Sequence, residues 1–161
     1  MCRTTSVLQV VLYHPEIPQN TGNVARTCAA TQTPLHLVEP LGFSLKDRYL
    51  KRAGLDYWPA VSLTVHRNIA ASRTELASCR WVCFSTHAQR VYYDFEFQPG
   101  DCLVFGSETE GLPRDMLLEE PGNVLKVPID RSRVRSLNLA TTVGVALFEA
   151  LRQLASHRKA D

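Results

Sequence analysis

Val127-Pro128-Ile129-Asp130-Arg131-Ser132-Arg133-Val134-Arg135-Ser136-Leu137-Asn138-Leu139 lies between a short apolar run and the longest helical pattern in the chain. It carries three arginines at alternate positions and then Ser-Leu-Asn at what reads as a helix start. A strand end, a polar loop and a helix N-terminus together present backbone N–H groups to a ligand. A plain strand-to-helix connection needs about two to six residues. This one is longer and heavily charged, so it reads as functional, and the elements on either side read as β followed by α.

Outward from that stretch the same alternation repeats. Val7 to Tyr13, Leu35 to Val38, Val61 to Val65, Arg80 to Ser85, Cys102 to Phe105 and Val124 to Val127 are short β-branched and aliphatic runs, which predict six buried strands. Val91 to Phe97 reads as an added edge strand or a covering loop. Helical patterns run over Val24 to Thr31, opened by Thr21-Gly22-Asn23 with Asn20 placed to cap it. Others run over Lys46 to Ala53 ending at Gly54, Ile69 to Ala77, Pro113 to Leu118 and Asn138 to His157. Strands alternating with helices predict an α/β fold with a mostly parallel, six-stranded sheet, in one domain over residues 1–161.

Composition narrows the class. The chain has 161 residues, 45% hydrophobic and 21% charged, as an ordinary globular domain has. No run reaches the roughly 20 apolar residues of a membrane span, and the polar start lacks the pattern of a secretory signal, so a cytoplasmic protein is expected. The five cysteines form no C-x-x-C pair and are expected to be reduced. The five histidines show no metal spacing, and no metal is expected. The net charge of +2 conceals two basic patches, Lys46 to Arg52 and Lys126 to Arg135. Each carries +3, which leaves −4 on the rest of the chain. Localised positive charge on an acidic body points to an anionic partner.

In a parallel sheet, ligands gather at the carboxyl ends of the strands. The loop after the first strand, Asn20-Thr21-Gly22-Asn23-Val24-Ala25-Arg26, puts Asn23 and Arg26 on one helix face. The loop after the fifth, Gly106-Ser107-Glu108-Thr109-Glu110-Gly111-Leu112-Pro113, is neither a Walker loop nor G-x-G-x-x-G. Its two glycines allow close backbone approach to a flat ligand, and its two carboxylates suit a neutral or cationic one. Gly144, inside the last helix, costs about 1 kcal/mol relative to Ala, which close approach of another backbone would explain. That helix is apolar nearly all round, as a helix shared with a partner subunit is.

These segments are similar to the three motifs of SPOUT-class RNA 2'-O-methyltransferases: Asn20-x-Gly22-Asn23-x-x-Arg26, then Phe105-Gly106-Ser107-Glu108-Thr109-x-Gly111-Leu112-Pro113, then Val127-Pro128-Ile129 with Ser136-Leu137-Asn138-Leu139. His14-Pro15-Glu16-Ile17-Pro18-Gln19-Asn20-Thr21-Gly22-Asn23 and Arg52-Ala53-Gly54-Leu55-Asp56-Tyr57 resemble the small single-domain branch, the TrmL type, that methylates the ribose of the tRNA wobble nucleotide, cytidine or uridine 34. The likeness spans about Val7 to Arg152. It implies a C-terminal trefoil knot, a rare exception to the no-knot rule. It also implies a homodimer and S-adenosyl-L-methionine bound among the three loops, by Phe84, Gly106, Gly111, Val127, Ile129, Ser136, Leu137 and Asn138. The family's Thr-rich, Gly-bearing segment after the fourth strand is here Ser85-Thr86-His87-Ala88-Gln89.

The resemblance assigns Arg26, Asn23 and Glu108 to catalysis, with Arg26 handling the 2'-hydroxyl proton and Glu108 orienting Arg26 or its Asn neighbours. An arginine side chain stays charged, so Arg26 is either the proton handler or the residue that holds the hydroxyl and adjacent phosphate. Lys46, Arg48, Lys51, Arg52, Arg131, Arg133 and Arg135 are nominated as phosphate contacts to the anticodon stem-loop. Two alternatives stand beside this reading: a ribosomal RNA 2'-O-methyltransferase, and a non-catalytic RNA-binding module of the same fold. A chain that runs directly into its first strand favours tRNA over ribosomal RNA.

Overall fold

The computed structural model describes residues 7–46, 48, 50, 52 and 58–160, with side chains as far as residue 156. Seven strands form one sheet: β1 (Leu8–Tyr13), β2 (Leu35–Val38), β3 (Leu63–His66), β4 (Arg80–Phe84), β5 (Arg90–Val91), β6 (Asp101–Phe105) and β7 (Val124–Lys126). Their order is β3-β2-β1-β6-β4-β7-β5, and every pairing is parallel. The expected six strands are thus corrected to seven. The edge strand is Arg90–Val91 alone, because the chain turns into a 3-10 turn at Tyr92–Asp94. The third strand starts at Leu63 rather than Val61, whose N–H closes a turn on the Trp58 carbonyl at 3.2 Å.

Two-residue periodicity sorts the strands onto two cores. Leu8, Val10 and Leu12 of β1, Val82 and Phe84 of β4, and Leu103 and Phe105 of β6 face one side. There they meet α1 (Pro18–Ala30) and α4 (Leu139–Ala160) through Val24, Ala25, Val143, Ala146, Leu147 and Ala150. Val11, Trp81, Cys83, Cys102 and Val104 face the other side, where Leu76 follows α2 (Ile69–Glu75) and Met116 belongs to α3 (Arg114–Leu118). Helices on both faces of a buried parallel sheet are the doubly covered α/β architecture. Arg73 ties α2 to the end of α3, pairing with Glu119 and Glu120 while its guanidinium lies 3.8 Å from the Trp81 ring centroid.

Helix α1 begins three residues earlier than its sequence pattern suggests. Pro18 sits in its first turn, and the N-cap is Ile17, whose side chain accepts no hydrogen bond. Asn20 is therefore inside the helix and does not cap it. The helix expected over Lys46 to Ala53 falls largely outside the described residues. Cys28, Cys83 and Cys102 are free and buried, and burial pushes the first two thiols up to about 12.

Candidate active site

Because all the strands are parallel, the loops after β1, β4, β6 and β7 meet on one rim of the sheet. They enclose a cavity of about 1050 Å³. Its apolar part is built on Phe84 and Phe105, the last residues of β4 and β6, whose rings stack with centroids 4.8 Å apart. Gly106, Gly111, Val127, Ile129, Ser136, Leu137 and Asn138 line the cavity too, as do Glu108, Arg131 and Arg135. The eight positions assigned to a cofactor by resemblance thus line a single cavity. Asn23 and Arg26 are not among its lining residues; both are exposed on α1. Lys46, Arg48 and Arg52 are exposed too, Lys51 lies outside the described residues, and Arg133 folds back onto Asp130 at 3.2 Å. The three arginines at alternate positions do not lie on an extended segment. The chain turns instead, with the Arg133 and Val134 N–H groups both closing on the Asp130 carbonyl. The Ser132 hydroxyl and N–H, with Arg133, hold the Asp130 carboxyl below its usual range.

A chain of hydrogen bonds braces the cavity. The Glu108 carboxylate accepts from the Glu16 N–H (2.8 Å), the Ile17 N–H (3.1 Å) and Asn20 Nδ2 (3.2 Å). Asn20 Oδ1 accepts from Asn138 Nδ2 at 2.9 Å. Asn138 Oδ1 then accepts from the Ala140 N–H (2.9 Å) and the Thr141 N–H (3.3 Å), capping α4. Both ends of this chain have only one possible polarity, since a carboxylate only accepts and a backbone N–H only donates. The two amides between them are therefore fixed in orientation. Glu108 supplies the negative group that the N-terminus of α1 lacks locally, and it orients Asn20.

The two loop glycines differ in their surroundings. A Cβ on Gly106 would lie 2.0 Å from the Gly111 carbonyl carbon, so the loop's own closure, through the Ser107–Gly111 bridge, requires this glycine. Gly111 has φ +69° and open space beside it. Sequence reading did not single out Ile17, Thr86, His87, Arg114 or Leu117, which also line the cavity. Arg114 had a usable signal, a cation one residue after the proline that opens α3.

Two of the five histidines meet in the fold beside a carboxylate. His36, His66 and Glu75 bring ligand-type atoms within 4.8 Å of one another at the far edge of the sheet. His36 Nε2 meets Gln9 Oε1 at 2.9 Å, so it donates, and His36 Nδ1 accepts from His66 Nε2 at 2.9 Å. His66 Nδ1 then faces the Glu75 carboxylate at 3.6 Å. These residues come from four separate elements, so no spacing in the sequence announced them.

Comparison with known proteins follows the same lines. The SpoU rRNA Methylase family profile matches residues 7–148. The chain is 47% identical over 152 residues to a tRNA (cytidine(34)-2'-O)-methyltransferase of Burkholderia ambifaria, covering 91% of this chain and 96% of that protein. It superposes with a TM-score of 0.88 and 52% identity on a solved structure described as giving insights into the 2-OH methylation of C/U34 on tRNA, over 92% of this chain and 97% of that one. An AdoMet-bound rRNA methyltransferase of Sinorhizobium meliloti aligns with a TM-score of 0.82 at 25% identity, over 96% of this chain and 59% of that one.

Proposed function

This chain belongs to the SpoU rRNA Methylase family, and from that premise we propose that it transfers a methyl group from S-adenosylmethionine to the ribose 2'-hydroxyl of the tRNA wobble nucleotide, cytidine or uridine 34. The observation that carries the reading is the cavity on the carboxyl rim, where the loop after β6, the connection from β7 to α4 and the start of α1 meet. Its contents suit the methyl donor. Stacked Phe84 and Phe105 offer an apolar bed, Glu108 and Glu110 favour a cation, and about 1050 Å³ exceeds what one small cofactor fills. Phe84, Gly106, Gly111, Val127, Ile129, Ser136, Leu137 and Asn138 would hold it. When bound, it supplies a methyl already activated on a sulfonium.

The protein's own task is alignment and proton removal. The Glu108–Asn20–Asn138 brace keeps the three loops in register, and alignment of this kind supplies several kcal/mol of a barrier. Arg26, beside Asn23 on the exposed face of α1, holds the 2'-oxygen and the adjacent phosphate, and the proton leaves toward solvent. Lys46, Arg48, Lys51, Arg52, Arg131, Arg133 and Arg135 contact phosphates of the anticodon stem-loop. We take the segment from β7 into α4 to be threaded as a trefoil knot. We also take a second copy to pack on the face of α4 where Phe148 is exposed and the space beside Gly144 is open. The enzyme acts in the cytoplasm.

The test is methyl transfer from labelled S-adenosylmethionine to bulk tRNA lacking this modification, mapped by nuclease digestion. Wild type places label at the wobble ribose. Arg26→Ala places none, and Arg26→Lys turns over about 10- to 100-fold more slowly with donor affinity unchanged. Label on ribosomal RNA alone would move the substrate to that class. Near-normal turnover by Arg26→Lys would remove Arg26 from the mechanism.

A further inference from the structure

A second cavity of about 760 Å³ adjoins the first, with the loop after β6 as their common wall. Its other walls are the loops after β1 and β2. From β1 the chain steps outward to β2 and β3, whereas β6 and β4 lie on the opposite side. The crevice above β1 and β6 is thus the topological switch point, where open α/β sheets bind ligands. Outside the shared wall, the cofactor reading uses none of its residues.

The walls are built closely. His14 holds a left-handed backbone (φ 51°) that non-glycine residues rarely adopt, and such strain gathers at functional sites. Its ring stacks on Tyr13, with centroids 3.6 Å apart. A Cβ on Gly42 would come within 2.7 Å of the Glu16 backbone, so this glycine lets the second loop press against the first. Glu16 bonds the Thr109 hydroxyl at 2.6 Å, which ties the first loop to the shared wall and holds its carboxyl below the ordinary value. With Glu16 so engaged, Glu110, exposed and lining both cavities, is the carboxylate left to meet a ligand. Arg114 also lines this cavity, a cation beside the two carboxylates of Glu16 and Glu110. An aromatic pair with a hydrogen-bond acceptor suits a flat base carrying an exocyclic amine.

We infer that this second cavity seats the base of the nucleotide whose ribose is methylated, stacked on His14 and Tyr13, with Glu110 accepting from the cytosine N4 amine. The inference rests on the reading of the first cavity as the methyl-transfer site. One nucleotide spans the shared wall, sugar on one side and base on the other. Uracil presents a carbonyl where cytosine presents an amine, so Glu110 favours cytidine.

The test uses the full chain and synthetic anticodon stem-loops with cytidine, uridine or a base-free ribose at the methylated position. His14→Gly keeps the left-handed backbone and removes the ring, and His14→Asn does the same with a side chain that tolerates that conformation. Both are expected to raise KM for the cytidine RNA on the order of tenfold, with kcat and calorimetric donor affinity within about twofold. On the base-free RNA they should equal wild type. Glu110→Gln should erase most of the cytidine preference. A His14 effect of the same size on all three RNAs, or a cytidine preference untouched by Glu110→Gln, would overturn the base seat while leaving methyl transfer standing. A wild type inert on every RNA would overturn the parent reading and this one together.

Discussion

Glu108 accepts three N–H groups with two oxygens, and no neutral isostere can do the same. Glutamine keeps one oxygen and turns an NH₂ toward at least one of these donors. Glu108→Gln should therefore lower stability by about 1–2 kcal/mol, read as a fall in the urea midpoint with unchanged slope. It should also lower donor affinity, because the start of α1 and the amide of Asn138 lose their common anchor. Asn138→Ala combined with Glu108→Gln should cost less than the two separate losses added, since both cut one chain of bonds. Additive losses would mean that the three loops are held independently.

At the scale of elements, Gly144 separates two explanations of α4. A Cβ there meets nothing within 4 Å among the described residues, so none of them is the neighbouring backbone that its presence suggested. In an isolated chain Gly144→Ala should stabilise the helix by about 1 kcal/mol. If a second copy packs there, the same change should weaken self-association, and Phe148→Asp, at a residue 57% exposed, should weaken it further. Sedimentation velocity across a concentration series reads both. How well each element could be read from sequence followed from how local its causes are. The buried strands were legible because both their faces are covered. The end of α1 facing the site was misjudged by three residues because its anion comes from Glu108, 91 residues from Ile17. Pro18 cannot continue a central strand but fits a first helical turn. The cavity-lining motifs could be found by resemblance, but Asn23 and Arg26 share their sequence neighbourhood without sharing the wall. A helix that turns every 3.6 residues points Asn20 inward and Arg26 outward.

For the whole molecule, charge and protonation give two measurable slopes. Arg131 and Arg135 line the main cavity, so Arg131→Gln with Arg135→Gln should reduce the dependence of log Kd for tRNA on log salt by about 1.4–1.8. Filter binding at several salt concentrations reads the change. Burial, and then His66, push His36 from its ordinary 6.5 down to about 4. The unfolded chain thus takes up a proton that the folded one refuses between those values. The stability contributed by neutral His36 is complete above about pH 6.5 and is lost as pH falls toward about 4, by about 1–3 kcal/mol. Urea unfolding at pH 7.5, 5.5 and 4.5 should show this decline, and His36→Gln should flatten it.

Strand β6 lies between β1 and β4, although β1 to β4 all precede it in the chain, and all five of its residues are buried. During synthesis β1 and β4 must therefore wait, each with an inner edge that has no partner, until Phe105 has left the ribosome. Unpaired edges are templates for association with other chains. A chain interrupted before that residue should be found in aggregates or held by chaperones, whereas one interrupted after β7 has a complete sheet to hold it.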